Sequence, residues 1–265
     1  MIVLNENEWA EEKIKSNDLG DNTYETLCRV AKYYISNGCS KEYTEQILGR
    51  FLVQCDPSIV LIRWSGAIQN AVKYAVENPP IDIDSIKLTK SEMTFIDKID
   101  SVQARRLAFT LLCIAKYYDA VRKTNNHWVS TKDSVVMSMA NIKTSMKRQC
   151  VLFRMLKDIG FLEFAKKVDN TSTRICFLDK DRDDNEVVYE VTDFRNLGYQ
   201  YLMYKGESFY KCDNCGIVTK KENGKTSNRL KYCKECALKI AVKQRVNSVM
   251  RQRKQDKDNK NIAVP

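Results

Sequence analysis

Four cysteines in the last quarter of the chain restrict what it can fold into more than any other feature. Cys212-Asp-Asn-Cys215 is followed after seventeen residues by Cys233-Lys-Glu-Cys236, with Gly216, Asn223 and Gly224 in the joining loop. Two Cys-x-x-Cys pairs at this spacing bring four thiolates to the corners of a tetrahedron, as a closed structural Zn²⁺ site demands. Four protein sulfurs leave no coordination position open, so the expected Zn²⁺ is structural and not catalytic. Disulfides fit less well, because the other six cysteines stand singly in apolar stretches, as in a reduced protein. A thioredoxin-like pair would want strand and helix around one Cys-x-x-Cys, not two matched pairs.

The charge points to the same stretch. Formal net charge is +10, and residues 205–260 hold sixteen Lys or Arg against six Asp or Glu, so the excess of ten sits there and residues 1–204 are neutral overall. A basic segment beside a rigid metal knuckle is the footprint of a polyanion binder; a solubilising tail is the plainer alternative. The 265 residues are enough for more than one domain. The start, MIVLNENEWAEEK, lacks a basic segment followed by an apolar run, and no stretch approaches a membrane span, so a cytoplasmic protein is expected.

Along the chain, residues 1–20 are polar and acidic and predict a loosely held arm. Tyr24, Leu27, Cys28, Ala31, Tyr34 and Ile35 recur at helical spacing up to Asn37-Gly38, and Ser40 caps a second helix with Tyr43, Ile47, Leu48, Phe51 and Leu52 inward. A third helix of about twenty residues is expected after Asp56-Pro57, carrying Ile59, Ile62, Ile68, Val72 and Tyr74. Residues 81–88 read as a connector, a helix begins near Ser91, and a longer one runs from Ser101 to Arg122.

From there the pattern predicts a short strand at His127-Trp128-Val129, helices over 132–140 and 144–159, and a hairpin of strands 161–168 and 173–178. Helix, strand, helix, turn, helix, hairpin is the order of a winged helix-turn-helix. Lys143, Thr144, Ser145, Arg148 and Gln149 stand at the start of its second helix, where base edges and phosphates are met. Lys147 and Arg154 lie opposite the apolar face of Leu152, Phe153 and Leu156. Lys166, Lys167 and Arg174 are wing candidates. A winged helix also serves as a protein-docking element.

Beyond a strand at 187–191, Tyr199, Tyr201 and Tyr204 either stack on bases or pack a linker. Residues 237–254 predict one helix bearing Lys239, Lys243, Arg245, Arg251, Arg253 and Lys254, with disorder over 255–265. The acidic run Asp179, Asp181, Asp183 with Glu190 imitates a calcium loop, but Asp184 stands where glycine is needed. Gly224-Lys225-Thr226 lacks the first glycine of a phosphate loop. His127 is the one histidine, and no nucleophile and base constellation stands out, so an enzyme is not expected.

The expected fold is mainly α. It comprises a helical bundle over 20–80, a winged helix-turn-helix (α+β) over 90–204, and a zinc-ribbon-like module with a basic helix over 205–254. Specific strings extend this reading: Arg63-Trp64-Ser65, the run from Arg106 to Tyr118, Asn126-His-Trp-Val129, the run from Gly160 to Asn170, the run from Thr192 to Tyr199, and Tyr232-Cys-Lys-Glu-Cys236. Through them the chain resembles a family of uncharacterised phage and prophage proteins of Gram-positive bacteria. The resemblance implies a phage setting and a terminal cysteine-pair module, and it leaves activity open. The function expected is nucleic-acid binding, DNA favoured over RNA, in phage transcription control or replication. The alternative is a factor that docks a host or phage protein.

Overall fold

A computed structural model of the protein describes residues 2–166, 172–179, 186–221 and 231–262, with side chains of the last helix described to Gln252. From the N-terminus the elements are α1 (Glu6–Ser16), α2 (Thr23–Ser36), α3 (Lys41–Cys55), α4 (Ser65–Glu77), β1 (Ile86–Thr89) and α5 (Lys90–Asp97). They continue through α6 (Val102–Arg122), β2 (Trp128–Val129), α7 (Asp133–Met139), α8 (Met146–Asp158), β3 (Glu163–Phe164) and β4 (Thr173–Arg174). The last are β5 (Val187–Val191), α9 (Leu197–Tyr204), β6 (Phe209–Lys211), β7 (Val218–Lys220) and α10 (Lys234–Ile262). The protein is thus mainly helical, with small antiparallel sheets.

The chain divides into two compact units, each assembled from separated stretches: residues 1–90, 116–126 and 185–194 form the first, and 91–115, 127–184 and 195–265 the second. The cysteine-rich segment belongs to the second unit and does not stand as a unit of its own.

In the first unit, side-chain oxygens start three helices. Asn5 accepts from the Glu8 amide, Asn22 from Glu25 and Ser40 from Tyr43, each satisfying a donor that the first helical turn leaves free. Leu27, Val30 and Ala31 of α2 are fully buried, and Leu48 and Leu52 of α3 and Ala71 of α4 join them in one core. Tyr24 and Tyr43, expected inward, are exposed instead.

The expected loose arm is an error of the sequence reading. Residues 6–16 are helix α1, held by a buried charge cluster in which the Glu6 carboxylate meets Arg29 Nε at 3.2 Å and Lys32 Nζ at 2.8 Å and accepts from the Ile81 amide at 3.0 Å. The third helix is also shorter than expected. Ser58 folds back onto the Asp56 carboxylate and a 3-10 turn occupies Leu61–Arg63, so α4 starts only at Ser65 and Ile62 is 78% exposed. Residues 86–88 of the expected connector, with Thr89, form β1, which pairs antiparallel with β5, Ile86 opposite Val191 and Leu88 opposite Tyr189.

In the second unit, a three-stranded antiparallel sheet runs in the order β2-β4-β3. Of the expected hairpin, the first strand pairs at Glu163–Phe164, with Phe161 and Leu162 buried ahead of it and the Ala165 amide donating to the Ser172 carbonyl at 3.1 Å; its residues 167–168 lie outside the described residues. The second ends at Arg174 because a 3-10 turn over Cys176–Asp179 swings Phe177 onto Phe95, ring centroids 4.2 Å apart. His127 precedes β2 with φ +57, in the left-handed region, and is not part of the strand. The tyrosine joint is helix α9. Tyr201 is buried against Phe109 and its hydroxyl donates to Asp97 at 2.8 Å; burial and that bond hold its phenol well above the usual range. α10 runs on to Ile262, past Gln255 where disorder was expected.

α9 sits so close to the end of α7 that a Cβ at Gly198 would overlap the Ala140 carbonyl oxygen. A backbone atom cannot step aside as a flexible side chain does. Gly198→Ala is therefore expected to destabilise the second unit by about 3 kcal/mol, the upper end of overpacking costs. A urea midpoint equal to that of the parent protein contradicts this packing.

Candidate metal centre and nucleic-acid interface

β6 delivers Cys212, a tight turn delivers Cys215, and the start of α10 delivers Cys233 and Cys236. The turn closes because the Gly216 amide donates to the Cys212 carbonyl and the Cys212 amide to the Ile217 carbonyl, both at 2.9 Å. Gly216 holds φ +73, where a side chain is strained. The second pair is docked onto the first by the Asp213 amide, which donates to the Lys231 carbonyl at 2.8 Å, and by the Tyr210 hydroxyl, which donates to the Tyr232 carbonyl at 2.9 Å.

The four sulfurs lie within 4.8 Å of one another, and Cys215 Sγ and Cys233 Sγ are 3.7 Å apart. Tetrahedral thiolate coordination at a metal–sulfur distance near 2.3 Å places sulfurs about 3.8 Å apart. Cys212, Cys233 and Cys236 are buried. Donors surround the sulfurs: the Cys233 amide to Cys212 Sγ at 3.2 Å, the Cys236 amide to Cys233 Sγ at 3.5 Å, and Asn214 Nδ2 to Cys236 Sγ at 3.3 Å.

Electrostatics separates the thiols. Burial alone raises Cys212, but amide donors from Cys233, Cys215 and Asn214 outweigh it and bring the thiol down to about 6. Burial, reinforced by bonds among the neighbouring thiols, pushes Cys215 up to about 12, and burial raises Cys233 as well. Four negative sulfurs at this separation repel one another, and a bound cation is what lets all four ionise. Among the described residues this is the one group of sulfur, imidazole and carboxylate side chains close enough to hold a metal ion.

The basic residues fall in three places: α10, α8 with the turn before it, and the β3–β4 hairpin. Lys239, Lys243, Arg245 and Arg251 are exposed along α10 directly after the second cysteine pair, among exposed Leu238, Val242, Val246, Val249 and Met250. The side chains of Arg253 and Lys254 lie outside the described residues. On α8, Lys143 and Thr144 precede the helix and Ser145 caps it, accepting from the Arg148 amide. Lys147, Arg148 and Arg154 are exposed, with Arg154 3.9 Å from Asp158. Gln149 instead turns back and donates to the Thr144 carbonyl at 3.3 Å. Lys166 is exposed, Arg174 is half-buried and paired with Glu163 at 3.3 Å, and Lys167 lies outside the described residues.

Of the calcium-loop imitation, Glu190 lies in β5 and accepts from Ser85; Asp181 and Asp183, like Gly224-Lys225-Thr226, are outside the described residues. Sequence reasoning missed the residues that fasten the cysteine module. Arg195 Nη2 donates to the Cys215 carbonyl at 2.6 Å, and Asn196 Nδ2 to the Val218 carbonyl at 3.0 Å. Arg106 caps the end of α7 with a fork onto the carbonyls of Ala140 and Asn141. Their signal is weak because each acts on backbone carbonyls far away in sequence. No family model, curated protein or solved structure matches the chain.

Proposed function

We propose that the protein is a nucleic-acid-binding protein of phage or prophage origin, in which a structural Zn²⁺ held by Cys212, Cys215, Cys233 and Cys236 anchors a basic helix on the phosphate backbone. The observation that carries this reading is the placement of α10. Its first turn is built into the four-sulfur cluster, and every described basic side chain beyond that turn is exposed. A cation row on a rigid rod neutralises phosphates and releases counterions, which favours polyanions whatever their sequence. Zinc is favoured over other metals by the all-thiolate donor set and by sulfur spacing that suits a tetrahedron.

A winged helix-turn-helix in the second unit adds orientation. Supporting this are the succession α6, β2, α7, α8, β3, β4 and the sheet order β2-β4-β3, with the outer face of α8 bearing Lys147 and Arg154. In this reading the protein works by binding and not by catalysis, on duplex DNA in preference to RNA, in transcription control or replication.

A salt titration tests it. If Lys239, Lys243, Arg245 and Arg251 each meet a phosphate, log K against log salt on mixed-sequence duplex falls with a slope steeper by about 3.6 than in the variant with all four changed to Ala. Failure to bind duplex DNA, single-stranded DNA and structured RNA at low salt overturns the reading.

A second reading is favoured by one feature of the first unit. A groove of about 870 Å³ between α3 and α4 is lined by Val53, Leu61, Ile62 and Ile68, the kind of apolar surface that receives a partner's helix. The protein would then dock a host machine such as RNA polymerase or a defence complex, with the basic helix assisting. Capture of one defined protein after nuclease treatment, lost in Ile62→Glu, distinguishes it.

A further inference from the structure

Two asparagines join the cysteine module to the turn before α8. Asn141, between α7 and α8, and Asn196, at the start of α9, both hold the left-handed backbone region, φ +56 and +55. Asn196 occupies the N-cap position of α9, where an asparagine normally accepts from its own helix, yet it makes no such bond. Its cap is supplied from elsewhere: Asn141 Oδ1 accepts from the Tyr199 amide at 3.1 Å. The Asn196 amide group is used as a bridge. Its Oδ1 accepts from Asn141 Nδ2 at 2.8 Å, and its Nδ2 donates to the Val218 carbonyl of β7 at 3.0 Å.

Around this bridge every contact is close. Arg195 grips the Cys215 carbonyl, Gly198 lies against the Ala140 carbonyl, Arg106 holds the carbonyls of Ala140 and Asn141, and Tyr199 packs on Phe209 with centroids 4.8 Å apart. One residue beyond Asn141, Ile142 is buried, and then Lys143, Thr144 and Ser145 lead into α8. The cysteine knuckle and the start of α8 therefore share one hydrogen-bonded joint.

We propose that the Asn141–Asn196 pair couples metal loading of the four cysteines to the order of the α7–α8 turn, so that the Lys143–Gln149 surface is set for nucleic acid only when the metal is bound. This rests on the metal reading given above. Asn141 and Asn196 are positioning residues: they touch neither metal nor nucleic acid. Metal fixes the backbone carrying the Cys215 and Val218 carbonyls, those carbonyls hold Arg195 and Asn196, and Asn196 holds Asn141. Without metal the acceptors move away, and both asparagines lose the bonds that offset their left-handed backbone. By reciprocity, ordering of the turn by bound nucleic acid tightens the metal site.

Hydrogen exchange on the full chain tests this, comparing zinc-loaded and chelated samples with zinc content measured on each. Removal of zinc is expected to speed exchange of residues 139–148 by about tenfold, through local opening, while residues 65–77 are unchanged. In Asn196→Ala, and in the near-isosteric Asn196→Asp, which loses the donor to Val218, residues 139–148 already exchange fast and respond no further to zinc. Zinc stoichiometry in these variants stays that of the parent, which shows the module intact. Zinc uptake with residues 139–148 indifferent to it, or variants that respond as the parent does, overturns this inference alone. A chain that takes up no zinc overturns it together with the zinc reading, and zinc content tells the two failures apart.

Discussion

Stripping metal from the full chain with a strong chelator is expected to unfold residues 205–221 and 231–236 while the helices of the first unit persist. The module is too small to hold itself together. Its buried centre is Cys212, Cys233 and Cys236 with Cys215, Ile217 and Tyr232 packed against them, and below about 40 residues a fold usually needs metal, disulfides or assembly. Structural zinc supplies about 10–16 kcal/mol of binding free energy to sites of this kind, and that energy is folding energy. The expected observations are one zinc per chain, loss of hydrogen-exchange protection over 205–221 on chelation, and recovery on adding zinc. Cys233→Ser should reproduce the chelated state. Acid should release the metal too, since each thiolate takes up a proton as the ion leaves. Full protection over 205–221 after quantitative metal removal contradicts the structural role.

Glu6→Ala is expected to cost the first unit about 3–5 kcal/mol, because it removes the anion from a buried cluster and leaves cations behind. The Glu6 and Lys32 side chains are 5% and 6% accessible and that of Arg29 is 11%, so water cannot replace the lost partner. Arg29 keeps Glu25 at 2.7 Å and the face of Trp9 at 4.9 Å, but Lys32 loses its carboxylate. The Ile81 amide loses its acceptor as well, so the chain beyond α4 should loosen together with α1. Urea denaturation of Glu6→Ala and of the double variant with Lys32→Met checks this; the double variant should recover part of the loss, since no lysine is then stranded. A shift below about 1 kcal/mol in the single variant places this cluster with ordinary surface pairs.

What the sequence made legible were patterns carried within one short window. The cysteine cluster could be read because ligand spacing is local, and α2 because Leu27, Cys28 and Ala31 repeat on one face. α1 escaped because its apolar residues are few, and it is tied down by Arg29 and Lys32, more than twenty residues away. β1 escaped because its partner strand is about a hundred residues downstream, and nothing in Ile86-Lys-Leu-Thr89 announces that partner. The extended run expected over 173–178 failed at Arg174, since burial of Phe177 against Phe95 favours a turn over continued pairing. The asparagine bridge was invisible for a related reason: Asn141 and Asn196 each look like ordinary turn residues until the backbone brings them together.

The pairing of β1 with β5 also governs the order of events during synthesis. Ile86 and Leu88 are buried, and Val191 opposite Ile86 is buried too, so this ribbon closes part of the first unit with residues from far down the chain. A ribosome adding about 5–20 residues per second needs about 5–20 s to pass from one strand to the other. Through that interval the nascent first unit carries an unpaired strand edge, the kind of surface that seeks a wrong partner. A chain terminated before residue 186 never acquires the missing strand. Its N-terminal bundle should therefore be recovered as aggregate or chaperone-bound material, although all four of its helices have been made.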